Sequence, residues 1–170
     1  MGNLEKFFND VEFADIISNI LSNKRFLNIK KCRHHGITRY EHSMRVAYYS
    51  YLITKKLKLN YVETARGGLL HDFFITDELE EIEQRVSAFV HPYKALKNAC
   101  DNFDLTELEK DIIINHMFPT LPHKIPKYLE SWIVSIVDKI VATYEFYCSY
   151  GRVFLYRFSR VYMIVLLCRF

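Results

Sequence analysis

Only five glycines and four prolines interrupt 170 residues, half of which are hydrophobic. No stretch alternates apolar and polar residues between turn clusters, as a half-buried strand would, whereas apolar residues return at helical intervals over most of the length. This pattern confines the chain to an all-α fold. We expect a compact multi-helix bundle, large enough to bury a substantial core in one domain. Residues 1–150 read as that domain, and residues 151–170 as a final apolar and basic helix packed on it.

The first helix is expected over residues 3–23, with Leu4, Phe7, Phe8, Val11, Ala14 and either Ile17 or Ile16 as its apolar stripe, followed by a basic, irregular stretch to Thr38. Thr38 and Glu41 have the spacing of a capping box, so the next helix should carry His42 in its first turn. His42, Val46, Tyr49 and Ile53 then share one face, which points the imidazole inward. A third helix over residues 61–73 holds Gly67 and Gly68, whose helix-weakening cost of about 1 kcal/mol each implies close approach of another backbone. His71 and Asp72 follow one turn later.

The acidic residues 77–83 read as a solvated loop or short helix. His91 precedes Pro92, a favoured first helical residue, and is expected at a helix start. Thr106 and Glu109 form a second capping box, and the stripe Leu105, Leu108, Ile112 ends in an inward His116. A last helix over residues 128–147 should bury Ile133, Val134, Ile136, Val137, Ile140 and Val141. Asp138 lies on that apolar face, where a carboxylate is costly unless paired or metal-bound, and Lys139 should point away by the helical angle.

Composition excludes several classes. The four cysteines lie far apart without a Cys-x-x-Cys pair, which argues against a zinc ribbon or dithiol redox centre and for buried free thiols in a reducing cytosol. Neither an export nor an amino-terminal lipid signal is visible, and the apolar run 161–168 is too short to span a bilayer, so we expect a cytoplasmic protein. Four of the arginines fall in residues 151–170 with no acid among them, leaving the domain nearly neutral, without the extended basic surface of a nucleic-acid binder.

Against this background stand six metal-capable side chains, His42, His71, Asp72, His91, His116 and Asp138, most of them separated by roughly 20 to 30 residues. Imidazoles bind divalent transition metals and carboxylates neutralise their charge, so the six could hold one or two ions if several helices each present a ligand inward. Asp72, beside His71, has two oxygens and is a natural bridging position.

The segments Tyr40-Glu41-His42-Ser43-Met44-Arg45-Val46, Leu70-His71-Asp72 and Val137-Asp138-Lys139 resemble the HD-domain superfamily, whose pattern is H…HD…D on an all-helical scaffold, over about residues 34–145. The resemblance implies that His42, His71, Asp72 and Asp138 hold a first metal. It also implies that His91 and His116 hold a second, bridged by Asp72. The ions would be one or two of iron, manganese, nickel, cobalt or zinc. The implied activity is hydrolysis of a phosphate ester or nucleotide through metal-activated water at Asp72; by position, Lys139, His35 and Arg45 are the candidate catalytic cations, with a salt bridge or packing beneath the site as the alternative for Arg45. Arg39 and Lys94 are further candidate cations. Many hydrolytic members follow the HD pair with Gly-Lys, where this chain has Phe73-Phe74. The same ligand set also resembles that of the superfamily's diiron oxygenases, and a non-catalytic regulatory module with a structural metal is a further alternative.

Overall fold

The computed structural model describes the backbone of residues 4–34, 37–75 and 84–167 and the side chains of 4–32, 37–75 and 89–148. Short helices α1 (Glu5–Phe8), α2 (Val11–Ser22) and α3 (Lys24–Leu27) lead through a 3-10 turn, Asn28–Lys31, into a two-stranded antiparallel ribbon, β1 (Arg33–His34) with β2 (Ile37–Thr38). Then come α4 (Arg39–Lys56), α5 (Tyr61–Leu70), α6 (Gln84–Asn102), α7 (Glu107–Asn115) and α8 (Leu129–Leu167). The all-α expectation holds, apart from the small ribbon inside the stretch read as irregular.

Local chemistry explains most boundaries. At the start of α4, the Glu41 amide donates to the Thr38 hydroxyl at 3.2 Å and the Thr38 amide donates to the Glu41 carboxylate at 2.9 Å, as the capping-box spacing predicts. Thr106 and Glu109 repeat the arrangement at α7 with 3.2 and 2.8 Å. The α4 helix stops where Lys58 turns left-handed (φ 59°) and the Leu59 amide reaches back to the Thr54 carbonyl at 2.9 Å, a Schellman ending. Thr38→Ala should lower stability by about 1 kcal/mol, a fall in melting temperature of about 2–4 °C for a chain of this size, measurable by calorimetry.

The expected single first helix is broken instead. Asp10 adopts an extended backbone and its carboxylate accepts the Phe13 amide at 3.1 Å, so a new helix begins at Val11. The restart turns Phe8 and Val11 outward (42% and 78% exposed) and buries Phe7, Phe13, Ile17 and Ile20. The helix expected over residues 61–73 ends at Leu70. Helix α6 runs straight through Pro92, so His91 is a mid-helix residue and not a helix start. Proline forfeits one amide there, and tertiary packing outweighs that local preference.

Helix α8 is far longer than the expected 128–147, and its backbone continues to Leu167 where a separate final helix was expected. The packing of residues 151–170 on the domain lies outside the described side chains. Val134, Val137 and Val141 are buried, but Ile136 and Ile140 are exposed, because α8 packs on the bundle along one face only. Tyr49 and Ile53 of α4 are likewise exposed, at the edge of that helix's buried face. Of the cysteines, Cys32 is buried and Cys100 is exposed, the latter against expectation, and Cys168 lies outside the described residues.

Helix α4 is the centre of the bundle, packing against both α5 and α8, while α7 packs against α5, α6 and α8. One apolar cluster, including Phe13, Phe26, Met44, Tyr51 and Leu69, lies beneath α1 to α5, and a second, with Val46, Ile112 and Val134, fills the space between α4, α7 and α8. The glycine expectation holds for Gly68, where an added Cβ would stand 3.2 Å from the Ala47 Cα of α4; at Gly67 the nearest atom is instead the Ile112 side chain, at 2.9 Å. Among the described residues, no helix is long and apolar enough to cross a membrane. Residues 77–83 lie outside the described residues.

Candidate metal centre

Five helices or their ends bring the six predicted side chains to one buried place. His42 comes from the first turn of α4, His71 and Asp72 from the end of α5, His91 from mid-α6, His116 from the end of α7 and Asp138 from α8. All six are at most 9% exposed.

The ring orientations follow from local hydrogen bonds. His71 Nδ1 lies 2.7 Å from the Gly68 carbonyl and His116 Nδ1 lies 2.8 Å from the Ile113 carbonyl. A carbonyl only accepts, so in both rings Nδ1 carries the proton and a neutral ring has its lone pair at Nε2. Each histidine thus caps the last turn of its own helix and presents Nε2 to the centre. Burial pushes the His116 pKa down to about 3, which keeps the ring neutral.

His71 Nε2 is the decisive atom. It is buried, has no hydrogen-bond partner, and faces Asp138 Oδ1 at 3.7 Å and Asp72 Oδ2 at 3.8 Å. On a neutral ring, a lone pair turned toward two carboxylate oxygens is repulsive unless a cation, a metal ion or a proton, lies among them. Donor atoms on one divalent ion, each about 2.0–2.2 Å from it, stand roughly 3–4 Å apart. His42 Nε2 is 2.9 Å from Asp138 Oδ1, just below that span and at hydrogen-bond distance. His42, His71 and Asp138 therefore form one group able to hold a metal.

A second group shares Asp72. Its Oδ1 lies 3.4 Å from His91 Nε2 and 3.7 Å from His116 Nε2, and the two imidazole nitrogens are 2.9 Å apart. Asp72 thus turns Oδ2 toward the first group and Oδ1 toward the second. Phe74 stacks on His91 with 5.1 Å between ring centres, and Arg39 holds Phe74 by a guanidinium 3.7 Å above its ring and a 2.8 Å hydrogen bond to its carbonyl. Arg39 is buried in this role.

The other predicted residues are placed differently. The Lys139 ammonium does not point away: it donates to Asp138 Oδ2 at 2.7 Å and to the His116 carbonyl at 2.6 Å. Its flexible stem folds back across the 100° that separates adjacent helical residues, so Asp138 has the cationic neighbour that the helical angle seemed to deny it. Burial alone would raise the Asp138 pKa, but His42, through its hydrogen bond and its charge, and Lys139 hold it well below the usual carboxylate range. Arg45 turns to Glu145 at 2.5 Å. Lys94 is exposed on α6, and His35 lies outside the described residues.

Glu145 is the residue that the sequence reading missed. It is 2% exposed and lies 2.8 Å from His42 Nδ1. Burial opposes charge on His42, yet Asp138 and Glu145 on its two nitrogens outweigh it and push the ring's pKa up to about 10 in the metal-free protein. The available signal was spacing: Glu145 is two helical turns after Asp138, on the same face.

A family profile described as HD domain matches residues 39–143, more than half of the chain. The chain belongs to the HD-domain family. No curated protein and no solved structure matches it. HD domains form a superfamily of metal-dependent phosphohydrolase type, and the buried His and Asp groups give this member side chains that could hold a divalent metal. The matched region of the HD domain ends two residues before Glu145.

Proposed function

We propose that this HD-domain protein is a metal-dependent phosphohydrolase acting on a phosphate ester or nucleotide. The observation that carries the reading is His71 Nε2, a buried acceptor with no hydrogen-bond partner that faces two carboxylates across cation-sized gaps. His42, His71, Asp72 and Asp138 would hold the first ion, and His91 and His116 the second, with Asp72 shared. When bound, the divalent ions supply Lewis acidity at the phosphoryl group and water of lowered pKa.

The chain's own groups set the conditions for that chemistry. Asp72 and Asp138 contribute two negative charges, fewer than two divalent ions carry, which leaves the site attractive to phosphate. Lys139 holds Asp138 Oδ2; in this reading it fixes that carboxylate and offsets its charge beside the incoming substrate. Arg39 and Phe74 keep the His91 ring in place. Arg45 is engaged with Glu145, and the proposed contribution of His35 rests on its sequence position alone.

The test is elemental analysis of protein purified without chelators, giving the metal-to-chain ratio, beside phosphate-release assays on a generic phosphodiester and a nucleotide panel. One or two equivalents of iron, manganese, nickel, cobalt or zinc with phosphate release would support the reading. Bound metal without hydrolysis would shift it to oxygen activation or a regulatory role, and no metal after reconstitution would overturn it. His91→Ala should remove the second equivalent and leave the first. The exposed His123 serves as control, and His123→Ala should change neither the ratio nor the rate.

A further inference from the structure

The geometry points to Glu145 as a positioning residue that dictates which nitrogen of His42 faces the metal, an inference that rests on the metal-centre reading above. Helix α8 offers two carboxylates two turns apart, and between them they grip opposite sides of one imidazole: Asp138 Oδ1 at 2.9 Å from Nε2 and Glu145 Oε2 at 2.8 Å from Nδ1. The two sides are not equivalent. Asp138 Oδ1 is also 3.7 Å from His71 Nε2, so the Nε2 edge belongs to the cluster, whereas the Nδ1 edge points along α8 to Glu145.

Glu145 is not itself placed as a ligand. Its Oε2 accepts from His42 and its Oε1 accepts from Arg45 at 2.5 Å, so both oxygens are committed. The side chain is 1% exposed, and Arg45, 13% exposed, supplies the charge that makes a buried carboxylate tolerable. Arg45 stands three residues after His42 on α4, so α4 presents an imidazole and a guanidinium to the two carboxylates of α8. With Glu145 accepting the Nδ1 proton, Nε2 is the nitrogen left to bind an ion. A carboxylate behind a ligating imidazole also raises the ring's donor strength. His71 and His116 are oriented by backbone carbonyls from their own helices; His42, in the first turn of α4, receives the same service from a side chain of another helix.

The experiment is a chelator-competition titration with Co(II) on the full chain, reading affinity and the visible absorption of the bound ion. Glu145→Ala should weaken Co(II) binding about 10–100-fold. Glu145→Gln, which keeps an acceptor oxygen but no charge, should lose about tenfold and serves if the alanine variant does not fold. In a His42→Ala background, Glu145→Ala should cost nothing further, because the effect passes through that ring. Unchanged affinity in both Glu145 variants, or an equal loss with and without His42, would overturn the assignment while the metal-centre reading stood. Failure of the unsubstituted protein to bind Co(II) would overturn both.

Discussion

The Asp72→Ala protein should lose both ions together, with its metal-to-chain ratio near zero and phosphate-release kcat/KM down at least about 10³-fold. Asp72 is the one described carboxylate that faces both groups, Oδ2 toward His71 and Oδ1 toward His91 and His116. Removing it leaves the His71 lone pair with Asp138 as its nearest acidic neighbour and leaves His91 and His116 with no carboxylate. Imidazoles alone would then have to hold the second ion without a neutralising charge. The contrast with His91→Ala is diagnostic, since that variant should cost one equivalent. An Asp72→Ala protein that kept full occupancy and turnover would sink the shared-ligand assignment.

A larger residue at Gly68 should be the most damaging change to the scaffold near the site. An added Cβ already stands 3.2 Å from the Ala47 Cα and 3.6 Å from its amide nitrogen, and a backbone does not rotate away as a side-chain end can. For Gly68→Val the extra methyls must force α5 off α4, at a cost of about 3 kcal/mol. That corresponds to a melting temperature lower by about 6–12 °C. Alanine is the milder case, because its helix propensity returns about 1 kcal/mol against the tight contact. The valine effect should reach the site as well, since the Gly68 carbonyl orients His71, and metal affinity should fall along with stability. Thermal unfolding with metal and with chelator separates the two losses. A valine variant as stable as the parent would refute the close-approach argument.

What could be read in advance was what depends on a few neighbouring residues. Both capping boxes, the inward rings of His42 and His116, and the tight contact at Gly68 follow from spacings of three or four positions, where helix geometry leaves little freedom. The misreadings came from elsewhere. A helix apolar on all sides does not disclose which side is buried, and so Ile136 and Ile140 were assigned inward. Backbone angle located Cα of Lys139 correctly but ignored a four-carbon stem that can fold back. Pro92 obeyed packing over local preference. Glu145 was legible in principle from its register with Asp138, but a lone glutamate among Tyr144, Phe146 and Tyr147 gives no sign of its partners until α4 is laid against α8.

Helices α5 and α7 both finish at the metal centre, with His71 and His116 as their C-cap residues. The carbonyl end of a helix carries roughly half a negative charge. Two such ends meeting at one point favour a cation through the backbone itself, in addition to Asp72 and Asp138. The same field opposes an anion. Stripped of metal, the pocket would be made less hospitable to an anion by these two ends, so under the proposed function the ions should load before a phosphate substrate.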